Sequence, residues 1–243
     1  MIETRDLTKR FRSRKRGIIT AVDRLNLRCS AGEVYALLGP NGAGKTTTLR
    51  MLSTLITPTT GDALILGHSV SSERAAIRRT IGVVSCETGV YDRMTPREIA
   101  RYFGRLNDLD ADTLERRMDQ VFALLNMEGF VDERTDDFST GMIQKTVIMR
   151  ALLTDPRILI FDEPTVGLDI LTARNVLDYI RLLKGEGKTI VFSTHVMREA
   201  EKLADRIGII DRGRLVAEGT LAELQQETSR TDLEDIFFSL VRR

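Results

Sequence analysis

The sequence predicts an α/β fold with a parallel-sheet core, a β-rich N-terminal part and an inserted helical segment. Continuous apolar runs separated by helical patterns predict the core, because strands buried on both faces of a parallel sheet lack polar alternation. These runs lie at residues 158–161, 189–192 and 207–210. A glycine-rich loop that follows the apolar run 34–38 is the second observation, since a strand, a tight loop and a helix are expected there in that order.

The remaining elements follow from glycine punctuation and apolar spacing. Between residues 95 and 154, apolar residues recur three and four apart, as at Val121, Leu124 and Leu125, which predicts helices. Glycine-bounded strand-like runs are expected at residues 2–7, 19–28, 34–38, 63–66, 81–84 and 214–218. We therefore predict a single domain with a core of residues 1–94 and 155–218, a helical subdomain of residues 95–154 and a C-terminal helical tail of residues 219–243.

Composition restricts the class of protein. The 243 residues suffice for one large domain, and 36 basic against 35 acidic side chains indicate no charged partner. Cys29 and Cys86 lie far apart and outside any metal-ligand spacing, so small apolar roles in a reducing compartment are expected. No apolar run approaches the ~18 residues that span a bilayer, and no signal segment is evident. The expected location is cytoplasmic, at a membrane only through a partner.

A phosphate-binding loop is the strongest motif. Its backbone N–H groups are expected to turn toward the β and γ phosphates of a nucleotide, together with the positive end of the next helix and the Lys45 ammonium. Glycine is needed at positions 39, 42 and 44, where a β-carbon would clash, and the Thr46 hydroxyl is predicted to ligate Mg²⁺. The predicted nucleotide-binding residues here are Gly39, Pro40, Asn41, Gly42, Ala43, Gly44, Lys45, Thr46 and Thr47.

Two carboxylates follow the apolar run that begins at residue 158. A strand end beside a phosphate loop is where a metal-associated Asp and a water-activating Glu belong, so Asp162 is predicted to hold Mg²⁺ through water and Glu163 to polarise the attacking water. The alternative is an acidic turn before Pro164.

His195 and Ser139 complete the candidate residues. His195 follows another buried strand and can reach the γ phosphate, whereas His68 is expected in a surface turn. Ser139 precedes a helical stretch with Gly141 close behind, so it is expected to cap that helix, and helix N-termini also bind anions.

A basic run near the N-terminus has two interpretations. It could bind nucleic acid or lipid headgroups, or it could be a solvated loop near the nucleotide, which we favour, so no nucleic-acid partner is expected. Its members, all within eight residues, are Lys9, Arg10, Arg12, Arg14, Lys15 and Arg16.

Together these motifs resemble the ATP-binding subunit of an ABC transporter, from about residue 2 to residue 218. Walker A corresponds to residues 39–46, Walker B to 158–163, the D-loop to 167–169 and the switch histidine to His195. The resemblance implies ATP and Mg²⁺ as cofactors, Glu163 and His195 as catalytic residues, and Phe11 as the aromatic that stacks on adenine. It also implies a P-loop NTPase fold and a place for Asp169 in the nucleotide site.

The resemblance further implies a head-to-tail dimer. Ser139 and Gly141 of one subunit would close over ATP held by Walker A of the other. The LSGGQ motif of the family is replaced here by Phe138-Ser139-Thr140-Gly141-Met142, which keeps the serine and the second glycine. Cys86 replaces the usual glutamine that links Mg²⁺ to the transmembrane partner, so either Glu87 substitutes as a metal ligand or the link is weak.

Within the family, residues 87–95 and 232–237 are similar to the ABC-2 export group, and most to sodium-efflux ATPases. The partners implied are an integral membrane permease and a second ATPase subunit, identical or different, with the chain on the inner face of the membrane. An exporter of a drug, lipid or polysaccharide stays open. Two further alternatives are a soluble ABC protein acting on DNA or ribosomes and a regulatory subunit that barely hydrolyses ATP, which the intact Glu163 and His195 disfavour.

Overall fold

The computed structural model of the protein describes residues 1–15, 17–85 and 89–241. Two sheets and a set of helices cover these ranges. The strands are β1 (Ile2–Ser13), β2 (Gly17–Leu25), β3 (Arg28–Cys29), β4 (Val34–Leu38), β5 (Thr60–Ile65), β6 (His68–Ser69), β7 (Ile81–Ser85), β8 (Ile158–Asp162), β9 (Thr189–Thr194), β10 (Arg206–Asp211) and β11 (Arg214–Gly219).

Helices alternate with the strands of the second half and fill the interval between β7 and β8. They are α1 (Lys45–Leu52), α2 (Arg74–Arg78), α3 (Pro96–Leu106), α4 (Ala111–Leu124), α5 (Thr140–Leu152), α6 (Ile170–Gly185), α7 (Met197–Leu203), α8 (Leu221–Thr228) and α9 (Leu233–Leu240).

The larger sheet runs in the order β11-β10-β4-β9-β8-β7. All neighbours are parallel except β11, which pairs antiparallel with β10. Every residue of β4, β8 and β9 is buried, which explains why these strands are mostly apolar, with the polar residues Asp162, Ser193 and Thr194 at their C-terminal ends. The parallel core predicted from the apolar runs is confirmed. Its register pairs Leu38 with Thr194 and Asp162 with Ser193, so the loops that follow these strands meet at one edge of the sheet.

The smaller sheet is antiparallel and runs β2-β1-β5-β6, with β3 also pairing with β1. Here the strands differ from the prediction. β1 continues to Ser13, because β2 supplies its backbone partners as far as the Ser13–Gly17 pair, although half of the side chains in residues 8–13 are charged. The predicted strand 19–28 instead ends at Leu25, next to Arg24 with φ 48°, and resumes at Arg28.

Helices α3, α4 and α5 lie between β7 and β8 in the chain, within the interval predicted to be helical. Thr95 caps α3 through a capping box with Glu98, and Pro96 follows at the first turn. The Arg117 guanidinium on α4 donates to Leu152 O (2.9 Å) and contacts Asp155 Oδ1 (3.3 Å), which ties this helix to the end of α5. The division into a core, a helical subdomain and a tail stays a prediction.

Cys29 is buried in the smaller sheet, and burial raises the pKa of its thiol to about 12. The thiol therefore stays protonated at neutral pH and packs as a small apolar group, as expected for it. Cys86 lies outside the described residues. Within those ranges, no helix has both the length and the apolar character needed to cross a membrane.

Candidate active site

The loop after β4 passes close to two neighbouring segments. A β-carbon on Gly39 would collide with the carbonyl oxygen of Ile210, and one on Gly44 would lie 2.5 Å from the carbonyl oxygen of Ala21. At Gly42 the reason differs from the predicted clash, because an added β-carbon meets nothing within 4 Å. There the backbone itself, with φ 81°, favours glycine.

Lys45 opens α1 and is 4% exposed. Its Nζ donates to Gly39 O (2.7 Å) and Pro40 O (3.2 Å), and lies 2.9 Å from Glu163 Oε1. An ammonium has three donors, so these contacts use all of them. A phosphate that binds Lys45 must therefore replace one of these partners, and Glu163 is the only charged one among them.

Asp162, the last residue of β8, is hydrogen-bonded to one residue of α1 and one of β9. Its Oδ1 accepts from Thr46 Oγ1 (3.0 Å) and from Ser193 Oγ (2.7 Å). Ser193 also accepts from the backbone N–H of Glu163 (3.0 Å). Ser193 was not predicted to take part, although its place just before Thr194 and His195 gave the signal. It holds the end of β8 to the end of β9 and so fixes where both carboxylates lie.

Glu163 bridges the lysine and the histidine. Its Oε2 lies 2.8 Å from His195 Nδ1, while its other oxygen contacts Lys45. A carboxylate only accepts, so Nδ1 of His195 carries the hydrogen of this bond. Glu163 has φ 48°, a conformation that costs a non-glycine residue about 1 kcal/mol and concentrates at functional positions. The 2.8 Å contact therefore brings together the two residues predicted to be catalytic, Glu163 and His195.

A cavity of about 290 Å³ brings eight of the predicted site residues together. Ala21 and Val166 also line it, and neither was predicted from the sequence. The lining residues are Ala21, Asn41, Gly42, Gly44, Lys45, Thr46, Thr47, Glu163, Val166 and His195.

Phe11 lies on β1, where it pairs with Ile19 of β2, and it does not line this cavity. The ring is partly exposed, with Lys9 Nζ 5.2 Å from its centroid. Phe11 is therefore an available aromatic face and not a core residue, while its stacking on adenine stays a prediction.

Ser139, Gly141 and Asp169 form a separate group around α5 and α6. Ser139 caps α5 by accepting from Met142 N (3.3 Å), as predicted for it, and Gly141 packs against Thr172. Asp169 caps α6 through hydrogen bonds from Leu171 N and Thr172 N, and the side-chain hydrogen bond from Thr172 lowers the pKa of Asp169. None of the three lines the cavity of the phosphate loop. Their roles toward ATP stay predictions.

Glu87, predicted as a metal ligand, lies outside the described residues together with Cys86. The two oxygen ligands predicted for Mg²⁺ that the structure does describe, Thr46 and Asp162, are in direct contact.

Comparison with known proteins decides the family, because residues 22–166 match the family described as ABC transporter. The chain belongs to the ABC transporter family. The ATP-binding protein NatA of Bacillus subtilis (strain 168) is 40% identical over 244 residues, which cover 100% of this chain and 99% of NatA. The daunorubicin resistance ATP-binding protein DrrA3 of Streptomyces coeruleorubidus is 39% identical over 208 residues, covering 86% of this chain and 66% of the relative, so this chain spans about two thirds of that protein.

Solved structures agree with this assignment. An ATP-binding subunit of an ABC transporter superposes with a TM-score of 0.86 at 29% identity and covers 99% of each chain. A dimeric ATP-binding cassette in a post-hydrolysis state with ADP and Pi superposes with a TM-score of 0.80 at 26% identity, covering 90% of this chain and 98% of that one. The predicted ABC ATPase fold is confirmed, and this ABC protein is a nucleotide-binding, ATP-hydrolysing subunit.

Replacing Lys45 tests the phosphate site. Lys45→Ala removes the buried ammonium, and a hydrogen bond to a charged group is worth about 1.5–3 kcal/mol, so ATP affinity should fall about 10- to 100-fold. Equilibrium binding of a fluorescent ATP analogue measures this. Arg116→Ala, a change at an exposed basic residue on α4, is the control and should bind as the parent does. Affinity of Lys45→Ala within a few-fold of the parent would show that the nucleotide binds elsewhere.

Proposed function

We propose that this ABC ATPase is the motor subunit of an ABC-2 type membrane exporter, with sodium as the cargo. The observation that supports the motor function is the cavity where the phosphate loop, the Thr46–Asp162 pair and the Glu163–His195 pair converge. The similarity to NatA over the full chain supports the exporter.

In the proposed reaction, the β and γ phosphates of ATP lie in the loop of residues 39–46. Their negative charge draws Lys45 away from Glu163, since both compete for the same ammonium. The N-terminal end of α1 adds its positive dipole to that charge. Binding of ATP thus frees one oxygen of Glu163 for chemistry.

The residues present suit Mg²⁺. The Thr46 hydroxyl and the Asp162 carboxylate are hard oxygen donors 3.0 Å apart beside the phosphate loop, and such donors are the ones that Mg²⁺ prefers. When bound, the ion would neutralise charge on the phosphate oxygens. Ser193 keeps the Asp162 carboxylate oriented through its 2.7 Å hydrogen bond.

Glu163 is the general base of the proposed hydrolysis. Water attacks the γ phosphorus, its proton passes to the Glu163 carboxylate, and the bond to the β–γ bridging oxygen breaks. His195 holds the second oxygen of Glu163 at 2.8 Å and so sets the direction in which the free oxygen points. His195 is partly exposed, and its ring also faces a second, larger groove that adjoins the cavity.

A second ATPase subunit, identical or different, completes the proposed motor. A groove of about 890 Å³ adjoins the cavity, and it is lined by Val166, Ile170 and His195 among others. Ile170 is 88% exposed and its neighbour Leu171 is 74% exposed, at the start of α6. Adjacent exposed apolar side chains beside a catalytic cavity favour a protein interface. The dimeric state of the solved cassette supports the same arrangement.

The proposed contact with the permease is an exposed surface made of two tyrosines and a leucine, Tyr91, Tyr102 and Leu106. We call it the aromatic surface after its two tyrosines. Tyr91 is 48% exposed, yet its ring also meets Tyr102 edge-on with centroids 6.2 Å apart. Thr135 Oγ1 donates to Tyr91 O (2.8 Å) and fixes the loop. An ordered, half-exposed aromatic of this kind suits an anchor for a cytoplasmic helix of the permease.

Replacing the proposed base tests the mechanism. Glu163→Gln keeps the shape of the side chain but cannot take a proton, so hydrolysis should fall about 10²- to 10⁴-fold while ATP stays bound. Size-exclusion chromatography with MgATP should then show a trapped dimer. Glu186→Gln, at an exposed glutamate, should behave as the parent. A monomer with undiminished turnover contradicts the role of Glu163.

Changing the aromatic surface tests the docking. Tyr91→Ala with Arg93→Ala should weaken co-purification with the permease by about 30-fold in affinity, the effect of losing roughly 2 kcal/mol at an interface anchor. Basal ATPase and melting temperature of the isolated subunit should stay near those of the parent. The control is Phe238→Ala with Arg230→Ala, an exposed aromatic and arginine on the tail. Lost folding would assign Tyr91 to its own helical segment, and unchanged co-purification would move the docking surface elsewhere.

A transport assay decides the cargo. Inside-out vesicles that hold this subunit and its permease should accumulate sodium on addition of MgATP, and vesicles with Glu163→Gln should not. Uptake of daunorubicin without uptake of sodium would instead favour a drug exporter, consistent with the similarity to DrrA3. Uptake of neither cargo by vesicles that hydrolyse ATP would refute both assignments.

A further inference from the structure

Glu199 is a buried carboxylate that the mechanism above does not use. It lies on α7, four residues after His195, and is 8% exposed. Each of its oxygens accepts a short hydrogen bond from a threonine. Thr165 Oγ1 donates to Oε1 (2.6 Å) and Thr194 Oγ1 donates to Oε2 (2.6 Å).

Among the residues that the structure describes, no cation balances this carboxylate. In residues 1–15, 17–85 and 89–241, no basic side chain lies within 4.0 Å of its oxygens. Burying a carboxyl group is costly unless hydrogen bonds compensate, and here two hydroxyls do so. A packed apolar side chain would avoid that cost altogether, so the position of this carboxyl group calls for a function.

Thr194 connects Glu199 to the switch histidine. It is the last residue of β9 and directly precedes His195. Its Oγ1 also accepts from the backbone N–H of Val196 (3.0 Å). The hydroxyl of Thr194 therefore holds both sides of His195, and Glu199 fixes that hydroxyl.

Thr165 connects Glu199 to the proposed base. It follows Glu163 and Pro164 in the segment between β8 and α6. Backbone hydrogen bonds from Val166 N to Glu163 O (3.2 Å) and from Leu168 N to Thr165 O (3.2 Å) make this segment a compact turn. Thr165 is only two residues from Glu163, so a displacement of Thr165 would also displace Glu163.

We propose that Glu199 is a positioning residue for ATP hydrolysis, because it clamps Thr165 to Thr194 and so sets the contact between Glu163 and His195. The clamp joins the two segments that carry this pair, and neither of its threonines lines the cavity. The phosphate loop meets the backbone of Thr194, where Gly39 N donates to Thr194 O (3.3 Å), and not the hydroxyl that Glu199 holds. The clamp should therefore govern the rate of the chemical step and leave the binding of ATP nearly unchanged.

The test compares variants of the full-length subunit. Glu199→Gln keeps the volume but replaces one acceptor oxygen by a donor, and kcat should fall about 10-fold, while Glu199→Ala removes both acceptors and should cost about 100-fold, the effect of a misplacement near 1 Å. The KM for ATP and the affinity for a fluorescent ATP analogue should change less than about three-fold. Glu201→Ala, at an exposed carboxylate on the same helix, is the matched control and should keep the parent kcat.

Two further readouts separate positioning from mere stability. Thr194→Val and Thr165→Val, which each remove one arm of the clamp, should lower kcat without raising KM. Glu199→Gln in a His195→Ala background should cause no additional loss when single-turnover hydrolysis is measured with enzyme in excess. Full additivity with His195→Ala, an unchanged kcat in Glu199→Gln, or a kcat loss matched by a fall in melting temperature below the assay temperature would overturn the proposal.

Discussion

The parallel pairing of β4, β9 and β8 is the constraint on which the site depends. It aligns Leu38 with Thr194 and Asp162 with Ser193, so three chain segments leave the sheet at the same edge. Ligand sites form at such carboxyl edges because loops of distant sequence converge there on a rigid support. Here the edge joins the phosphate loop, the two carboxylates and the histidine, although Lys45 and His195 are 150 positions apart in the chain.

Charge balance explains how this edge stays stable while it keeps reactive groups. Lys45 is almost fully buried, and Glu163 provides its counter-charge at 2.9 Å. Asp162 has hydroxyls as donors instead of a cation, and Glu199 repeats that solution with two threonines. A carboxylate held only by hydroxyls keeps its charge available for a cation or a proton, whereas a carboxylate in an ion pair must first exchange its partner. The site contains both kinds.

Much of this could be predicted from the sequence, and the reasons for the rest are physical. Loop spacing and buried strands have local signals, so the phosphate loop, Asp162 and the parallel core could be predicted. Glu199 could not, because a glutamate on a short helix normally faces solvent and only the fold shows it between two threonines. Gly42 was explained by the wrong cause, since spacing does not distinguish a close approach from a left-handed backbone. The extension of β1 to Ser13 was also not predicted. It depends on backbone pairing with β2, and the side chains there show no apolar alternation that would indicate a strand.

The clamp and the proposed dimer interface share residues. Thr165, His195 and Glu199 all line the groove that the exposed Ile170 borders. In the proposed dimer, a second subunit that covers this groove would press on the segment between β8 and α6, which the clamp joins to the switch histidine. Closure of the dimer would then alter the Glu163–His195 contact. The effect would pass through two hydrogen bonds and a short turn, so the path across the protein would be short. On this argument, the buried carboxylate would transmit the presence of the second subunit to the catalytic pair.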